Sequence, residues 1–336
     1  MNLSKLIKKT LKVSRGHTYT YYTSPAQGAK PTLALFHGWP DSALLWAGLV
    51  NDYLVPNGYG VVAFDCLGSG ETSRPTDPKE YAWSKMAGDV VEILDAESLT
   101  QVISLGHDWG SGLCQRFYNY HPSRVSGLVM INVAYMPPTG QFDLDEANKA
   151  MKAVFGYGLL EYWNFYTAED AAEIMDKNLD SVYSVAHGDP MSWLQNWCTP
   201  GGMRDFISNS RTQPVLPYAT EEHRKDFENR FSAEKGGFAS SLCWYKATKD
   251  GIQSEEEKLI PDEAKVVNVP AFFWGGEDDQ VCRPVTLQGS IAAGLLPDVK
   301  SVVRPGGHWA LLERPTEIGE DLISWLQETY KFSHNL

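Results

Sequence analysis

The chain has no apolar run approaching the roughly 20 residues needed to cross a bilayer, and its first residues lack the apolar stretch and small-residue cleavage site of a secretory signal. A membrane partner is excluded on that reading, and a soluble cytoplasmic protein is expected. Basic charge is scarce: Lys and Arg number 29 against 42 Asp and Glu, the formal net charge is -13, and Lys and Arg form no long cluster. Such a surface repels polyanions, so nucleic acid is excluded as a partner. Cysteine is scarce as well. Cys66, Cys114, Cys198, Cys243 and Cys282 are odd in number, scattered and without Cys-x-x-Cys spacing. That argues against a disulfide framework and against a zinc site, and leaves them as buried thiols. Internal repeats and extended low-complexity segments are also missing.

What is present suits a globular protein: 43% of the 336 residues are hydrophobic and 21% charged, enough for a large core carrying a smaller insertion. Short apolar runs rich in β-branched and aromatic residues recur at Thr32 to Phe36, Gly60 to Phe64, Val102 to Leu105, Gly127 to Ile131, Pro270 to Trp274 and Lys300 to Val303. They read as buried, mostly parallel strands. Between them Met86, Val90, Ile93 and Leu94, and later Ile318, Leu322, Trp325 and Leu326, fall at i, i+4, i+7 and i+8, the spacing of a helix face. Alternating strands and helices define the α/β class. Strand signals vanish from about Met136 to Ala264, where aromatic and acidic residues and helical stretches such as Ala168 to Leu179 take over. The expected domains are therefore a core over 1–136 and 265–336, interrupted by a helical cap over 137–264. The first fifteen residues carry Lys5, Lys8, Lys9, Lys12 and Arg15 beside Leu3, Leu6, Ile7 and Leu11, with no acid. They loosely resemble an organelle-targeting helix and are read as a solvated amphipathic segment. At the other end, Ser333-His334-Asn335-Leu336 faintly resembles a peroxisomal address.

The sharpest motif is Gly106-His107-Asp108-Trp109-Gly110-Ser111, after one apolar strand and before a helix-compatible run through Tyr120. This is the setting of a nucleophile elbow, where small residues let strand and helix pack closely around one presented side chain, here Asp108. A carboxylate in that position can displace a leaving group at saturated carbon and form an alkyl ester, which points to epoxides or alkyl halides. The bland alternative is that Asp108 caps the following helix. His37-Gly38-Trp39-Pro40 follows the strand Thr32 to Phe36, and this turn can aim the Trp39 N–H into the same pocket. Together with the N–H of Trp109 it would form an oxyanion hole.

Gly306-Gly307-His308-Trp309 lies between the last strand and the C-terminal helix and offers His308 as general base. His37 and His107 adjoin motifs but are read as holding turns. Gly276-Glu277-Asp278-Asp279 supplies an acid in the chain order nucleophile, acid, histidine, with three adjacent carboxylates to choose among. Asn132, after the earlier strand, could orient an imidazole only weakly and cannot balance its charge.

Together these motifs resemble the soluble epoxide hydrolase family of the α/β-hydrolase fold, with the similarity running from about residue 14 to 332. The resemblance implies a mostly parallel central sheet flanked by helices, with an inserted helical cap. It selects Asp279 as the acid, because Gly276, Asp279, Val281 and Pro284 match the family's pattern, with Asp278 as fallback. It also implies two cap tyrosines that bind the epoxide oxygen, matching Tyr162 and Tyr245, with Tyr166 the nearest competitor for Tyr162. One departure is Leu67, in Asp65-Cys66-Leu67-Gly68, where relatives often carry arginine.

The expected function is conversion of an epoxide and water to a vicinal diol through an ester on Asp108, hydrolysed by water that His308 and Asp279 activate. No metal or organic cofactor is expected. The partners are a small apolar epoxide and water, with homodimerisation left open. The rival readings are a haloalkane dehalogenase, in which the Trp109 indole would hold the departing halide, and a ligand-binding protein that kept the fold without turnover.

Overall fold

A computed structural model describes residues 2–330, so the Ser333 to Leu336 signal lies outside the described residues. Eight strands form one sheet: β1 (Ile7–Lys12), β2 (Thr18–Ser24), β3 (Thr32–Phe36), β4 (Gly60–Phe64), β5 (Val102–His107), β6 (Val125–Ile131), β7 (Ala271–Gly276) and β8 (Val299–Arg304). Their order is β1-β2-β4-β3-β5-β6-β7-β8, with β3 to β8 parallel to one another and β1 and β2 antiparallel to their neighbours. β3, β4, β5 and β7 are buried along their whole length, so they read as continuous apolar runs rather than alternating ones.

Alternate side chains leave opposite faces of these strands and feed two cores. Leu33, Leu35, Ile103, Leu105, Val129 and Phe272 pack on one side with Ile318, Leu322, Trp325 and Leu326 of the C-terminal helix (Pro315–Thr329). Ala34, Phe36, Phe64, Leu128 and Phe273 pack on the other with Met86, Val90, Ile93 and Leu94 of α1 (Trp83–Ala96) and with Phe117 of α2 (Trp109–Tyr120). Each of the leucines, isoleucines, valines, phenylalanines and the methionine contributes about 1.5–3 kcal/mol by leaving water.

The N-terminal segment corrects the sequence reading. It is neither a helix nor a solvated arm, but an edge strand pairing Ile7 with Thr23 through Lys12 with Thr18. Its lysines reach acids of the core: Lys8 lies 2.6 Å from Glu71 and Lys9 2.7 Å from Glu97. Charged side chains on an outer strand discourage pairing with other chains, which is why this strand carries so little apolar signal.

Between β6 and β7 the chain is helical, from α3 (Leu144–Phe155) to the short helix Asp262–Lys265, with one isolated bridge, Gly188 to Val215. This is the inserted cap. The helix expected over Ala168 to Leu179 is two helices, Ala171–Lys177 and Leu179–Ala186. Asn178 breaks the run by leaving helical dihedrals and donating its side chain to the Ile174 carbonyl. Among the described residues, no helix is long and apolar enough to cross a membrane.

Cap and core meet through buried polar contacts. Trp309 donates its indole N–H to Ala186 at 2.7 Å, Trp244 to the Leu67 carbonyl at 2.9 Å, and Trp39 to Ser241 Oγ at 3.2 Å. Arg230, at the end of the helix Glu221–Arg230, enters the core, where it donates to the Pro40 carbonyl and lies 3.9 Å from Asp41. Leu67 is thus a buried side chain whose carbonyl anchors the cap.

Candidate active site

Asp108 sits between β5 and α2 with φ 54° and ψ -126°, dihedrals that only a crowded turn imposes on a residue with a Cβ. The glycines around it are required by contact. A Cβ on Gly106 would lie 2.1 Å from the Gly110 carbonyl oxygen, and one on Gly110 would lie 1.9 Å from the Phe36 carbonyl oxygen. Gly38 fits for the same reason, since its Cβ would meet Asp108 Oδ1 at 2.2 Å.

The Asp108 carboxylate makes no hydrogen bond to the amides of α2, so capping does not occupy it. Instead Oδ1 accepts the Trp39 N–H at 2.8 Å, and Oδ2 lies 3.5 Å from His308 Nε2. Trp109 follows at the first position of α2, where the amide has no partner within the helix. The turn around Trp39 is held by His37: its Nε2 accepts the Cys66 N–H at 3.0 Å and its Nδ1 faces the Gly38 carbonyl at 2.7 Å. Burial pushes the His37 imidazole down to about 3, so it stays neutral in this bridging tautomer. His107 also holds a turn, with Nε2 2.8 Å from the His308 carbonyl.

His308 Nδ1 lies 2.7 Å from Asp279 Oδ2, while the Asp278 carboxylate accepts the Gly306 amide at 3.3 Å. The fold therefore brings Asp279 to the imidazole. Asp279 Oδ1 is occupied by the amides of Val281 and Cys282 at 3.0 and 2.8 Å. Burial alone would depress the His308 imidazolium, but the Asp279 charge and hydrogen bonds to Asp108 and Asp279 outweigh it and hold the group well above the ordinary histidine range. For Asp279, burial works upward, and the His308 charge overcomes it and keeps the carboxylate below its ordinary value.

Tyr162 and Tyr245 are buried, with ring centroids 5.9 Å apart. Tyr245 meets the Trp109 ring edge-on at 5.1 Å. Burial raises both phenols well above the ordinary tyrosine value, and the Asp108 charge adds to the shift in each. Both remain protonated and able to donate. Tyr166 stacks edge-on against Tyr245 at 5.0 Å, and its buried hydroxyl has no hydrogen-bond partner among the described residues. A cavity of about 520 Å³ opens from Asp108 and Tyr162 between core and cap, walled mainly by apolar side chains such as Trp83, Phe142, Leu159 and Val281.

Three participants were poorly visible in sequence. Asn132, at φ 63°, does not orient the imidazole directly. It donates to Asp279 Oδ2 at 3.1 Å and to the His308 carbonyl at 2.6 Å, and accepts the Gly276 amide at 3.0 Å, tying the acid loop to the histidine loop. Cys282 lines the cavity, and burial followed by the Asp279 charge pushes its thiol up to about 12. Asp41, buried beside Arg230, is pushed up by burial to about 7. In the sequence only Asn132 stood out, by its place after a strand, and nothing local set Asp41 or Cys282 apart.

A strained acidic elbow at the end of a central parallel strand, opposed by a histidine and acid from later loops, defines a hydrolase-type architecture. The chain belongs to the α/β-hydrolase fold family, which it matches over residues 31–315. It is 27% identical over 306 residues to the bifunctional epoxide hydrolase 2 of Mus musculus, covering 89% of this chain and 52% of that protein, so it spans about half the length of such mammalian relatives. It is 25% identical over 344 residues to epoxide hydrolase B of Mycobacterium tuberculosis, covering 90% and 93% of the two chains. Among solved structures, it is similar to epoxide hydrolase A from Mycobacterium thermoresistibile, with a TM-score of 0.76, 23% identity and coverage of 97% and 99%. An epoxide hydrolase from Vigna radiata gives 0.77, 21%, 98% and 99%. At these identities the solved structures speak to the fold.

Proposed function

We propose that this protein hydrolyses epoxides to vicinal diols, with Asp108 as covalent nucleophile, His308 as base, Asp279 as its orienting acid, and Tyr162 and Tyr245 as proton donors to the epoxide oxygen. The observation that carries the reading is a carboxylate, not a hydroxyl, on the elbow, 3.5 Å from His308 Nε2 and facing the same cavity as Tyr162, with the Tyr245 ring 5.9 Å from that of Tyr162 and 5.1 Å from that of Trp109. The names of the relatives point the same way. The core over 1–136 and 265–336 would supply nucleophile, acid and base, and the cap over 137–264 the tyrosines and the apolar wall.

The reaction runs in two halves. Asp108 attacks a ring carbon, the carbon–oxygen bond opens, and a phenol protonates the leaving oxygen. In the resting enzyme His308 lies between two carboxylates and holds a proton. Alkylation neutralises Asp108, lowers the proton affinity of His308, and lets that proton return through solvent to the phenolate. The neutral imidazole then takes a proton from water, and the hydroxide attacks the ester carbonyl while the Trp39 and Trp109 amides receive the oxyanion. Collapse releases the diol and restores Asp108 as a carboxylate and His308 as an imidazolium.

Single-turnover hydrolysis of a styrene-type epoxide by excess enzyme in oxygen-18 water tests this route. Unlabelled diol with label in the Asp108 peptide is expected. Labelled diol with unlabelled protein would mean direct attack by water and would remove the ester from the mechanism.

A halide leaves without a proton, so the paired phenols separate this reading from a dehalogenase using Trp109. Tyr245→Phe is expected to lower the epoxide kcat by about 10²-fold or more, on the scale of losing a general acid. Equal activity of the variant and the parent on epoxides would exclude the phenol as donor.

A further inference from the structure

The sequence reading set aside a zinc site because the cysteines lack Cys-x-x-Cys spacing, yet the fold assembles a mixed one. One ligand atom each from Asp279, Cys282 and His308 lie within 4.8 Å of one another, and no other group of three acidic, cysteine or histidine side chains comes this close among the described residues. We propose that these three residues form an inhibitory site for a thiophilic divalent cation such as Zn²⁺.

The donor set is the kind zinc selects: a carboxylate oxygen, a sulfur and an imidazole nitrogen. Bonds of about 2.0–2.3 Å to a tetrahedral ion put its ligand atoms about 3.3–3.7 Å apart, so His308 Nδ1 and Asp279 Oδ2, now 2.7 Å apart, would spread by about half an ångström, while no pair in the cluster, all within 4.8 Å, has far to close. Charge fits as well. The Asp279 carboxylate and the Cys282 thiolate left when the ion displaces the thiol proton together neutralise a dication. The carboxylate is already oriented by the amides of Val281 and Cys282 on Oδ1 and by Asn132 on Oδ2, the outer support that metal sites rely on. Access comes through the cavity, because Cys282 lines its wall and the other two residues lie behind it. Water from the cavity completes the fourth position.

Binding proceeds by exchange of protons for metal. Zn²⁺ takes the thiol proton's place on Cys282 and the proton's place between His308 and Asp279, and both protons leave to the buffer. No electron is transferred. Inhibition follows if His308 and Asp279 have the roles proposed above, since a metal-bound imidazole cannot take a proton from water. The ion is an inhibitor here and supplies no chemistry to the reaction.

The test uses the intact protein freed of metal by a chelator, with Co²⁺ as spectroscopic probe and Zn²⁺ as inhibitor. A sulfur-to-cobalt charge-transfer band is expected in the parent, lost on adding Zn²⁺ and missing in Cys282→Ser. The Zn²⁺ concentration giving half-inhibition, read against each protein's own metal-free rate, is expected to rise at least about 10-fold in Cys282→Ser and Cys282→Ala. Chelator should restore the rate. The absence of a sulfur-to-cobalt band, or equal Zn²⁺ affinity in parent and both variants, overturns the site. Because the cobalt spectrum needs no turnover, a band in a protein inert towards epoxides would uphold the metal site while sinking the epoxide reading. Normal turnover with the band fully developed would overturn the inhibitory role.

Discussion

Asp108→Ala is expected to abolish diol formation, with a fall in kcat of about 10⁴-fold or more and no ester on the Asp108 peptide. The magnitude follows from the role proposed for the carboxylate: its loss removes the covalent route entirely, and about 5 kcal/mol of barrier lowering disappears with it. The fold should survive. Asp108 makes no side-chain cap to α2, and the elbow around it is set by Gly106 and Gly110, whose close contacts the substitution leaves intact. Near-parental melting combined with lost turnover would separate chemistry from stability, and diol production at more than about one per cent of the parental rate would remove Asp108 from the mechanism.

His308→Gln should stop the reaction halfway. Alkylation of Asp108 needs the carboxylate and the phenols, whereas hydrolysis of the ester needs a neutral base 3.5 Å away on the other side of Asp108. The expected result is a burst of about one equivalent of epoxide consumed per enzyme, followed by turnover slowed by about 10³-fold or more, with the Asp108 peptide heavier by the mass of the epoxide. Mass spectrometry of the quenched enzyme reads this directly. A variant that turns over slowly but never accumulates the adduct would place His308 in the first half-reaction instead. Asp279 should behave as a weaker version of the same defect, because it holds the His308 ring at 2.7 Å and does not touch the ester.

The parts of this architecture that were legible in sequence share one property: their signal is local. The buried parallel strands β3 to β7 announce themselves as apolar runs, and the elbow, the His37 to Pro40 turn and the His308 loop are short strings at strand ends; β8, read as buried over Lys300 to Val303, is instead the exposed far edge of the sheet, with Val303 in solvent. β1 failed that test because an edge strand is half solvated and carries Lys8, Lys9 and Lys12 where an inner strand would carry valine. Tyr162 and Tyr245 were reached only through resemblance to a family, since sixteen tyrosines offer no local means of choice. Asn132, Asp41 and Cys282 were missed as contributors because what distinguishes them is a partner 147, 189 or 26 residues away in the chain, Asp279, Arg230 and His308 respectively. Such contacts exist only after folding.

The guanidinium that Arg230 inserts into the core bears on how a substrate gets in. It is 5% exposed, donates to the Pro40 carbonyl, and pairs with Asp226 at 2.7 Å. Swinging the cap away as a hinged lid would take this charge from the Pro40 carbonyl and from Asp41, while its pair with Asp226 on the same helix would travel with it. Three indole hydrogen bonds would have to break along with it. Cap and core are thus riveted through these buried polar contacts, and the cavity between them also reaches Thr139, Gln141, Ser254 and Thr286. Under the function proposed above, a cap held in this way would make the width of the cavity itself a sieve on which molecules reach Asp108.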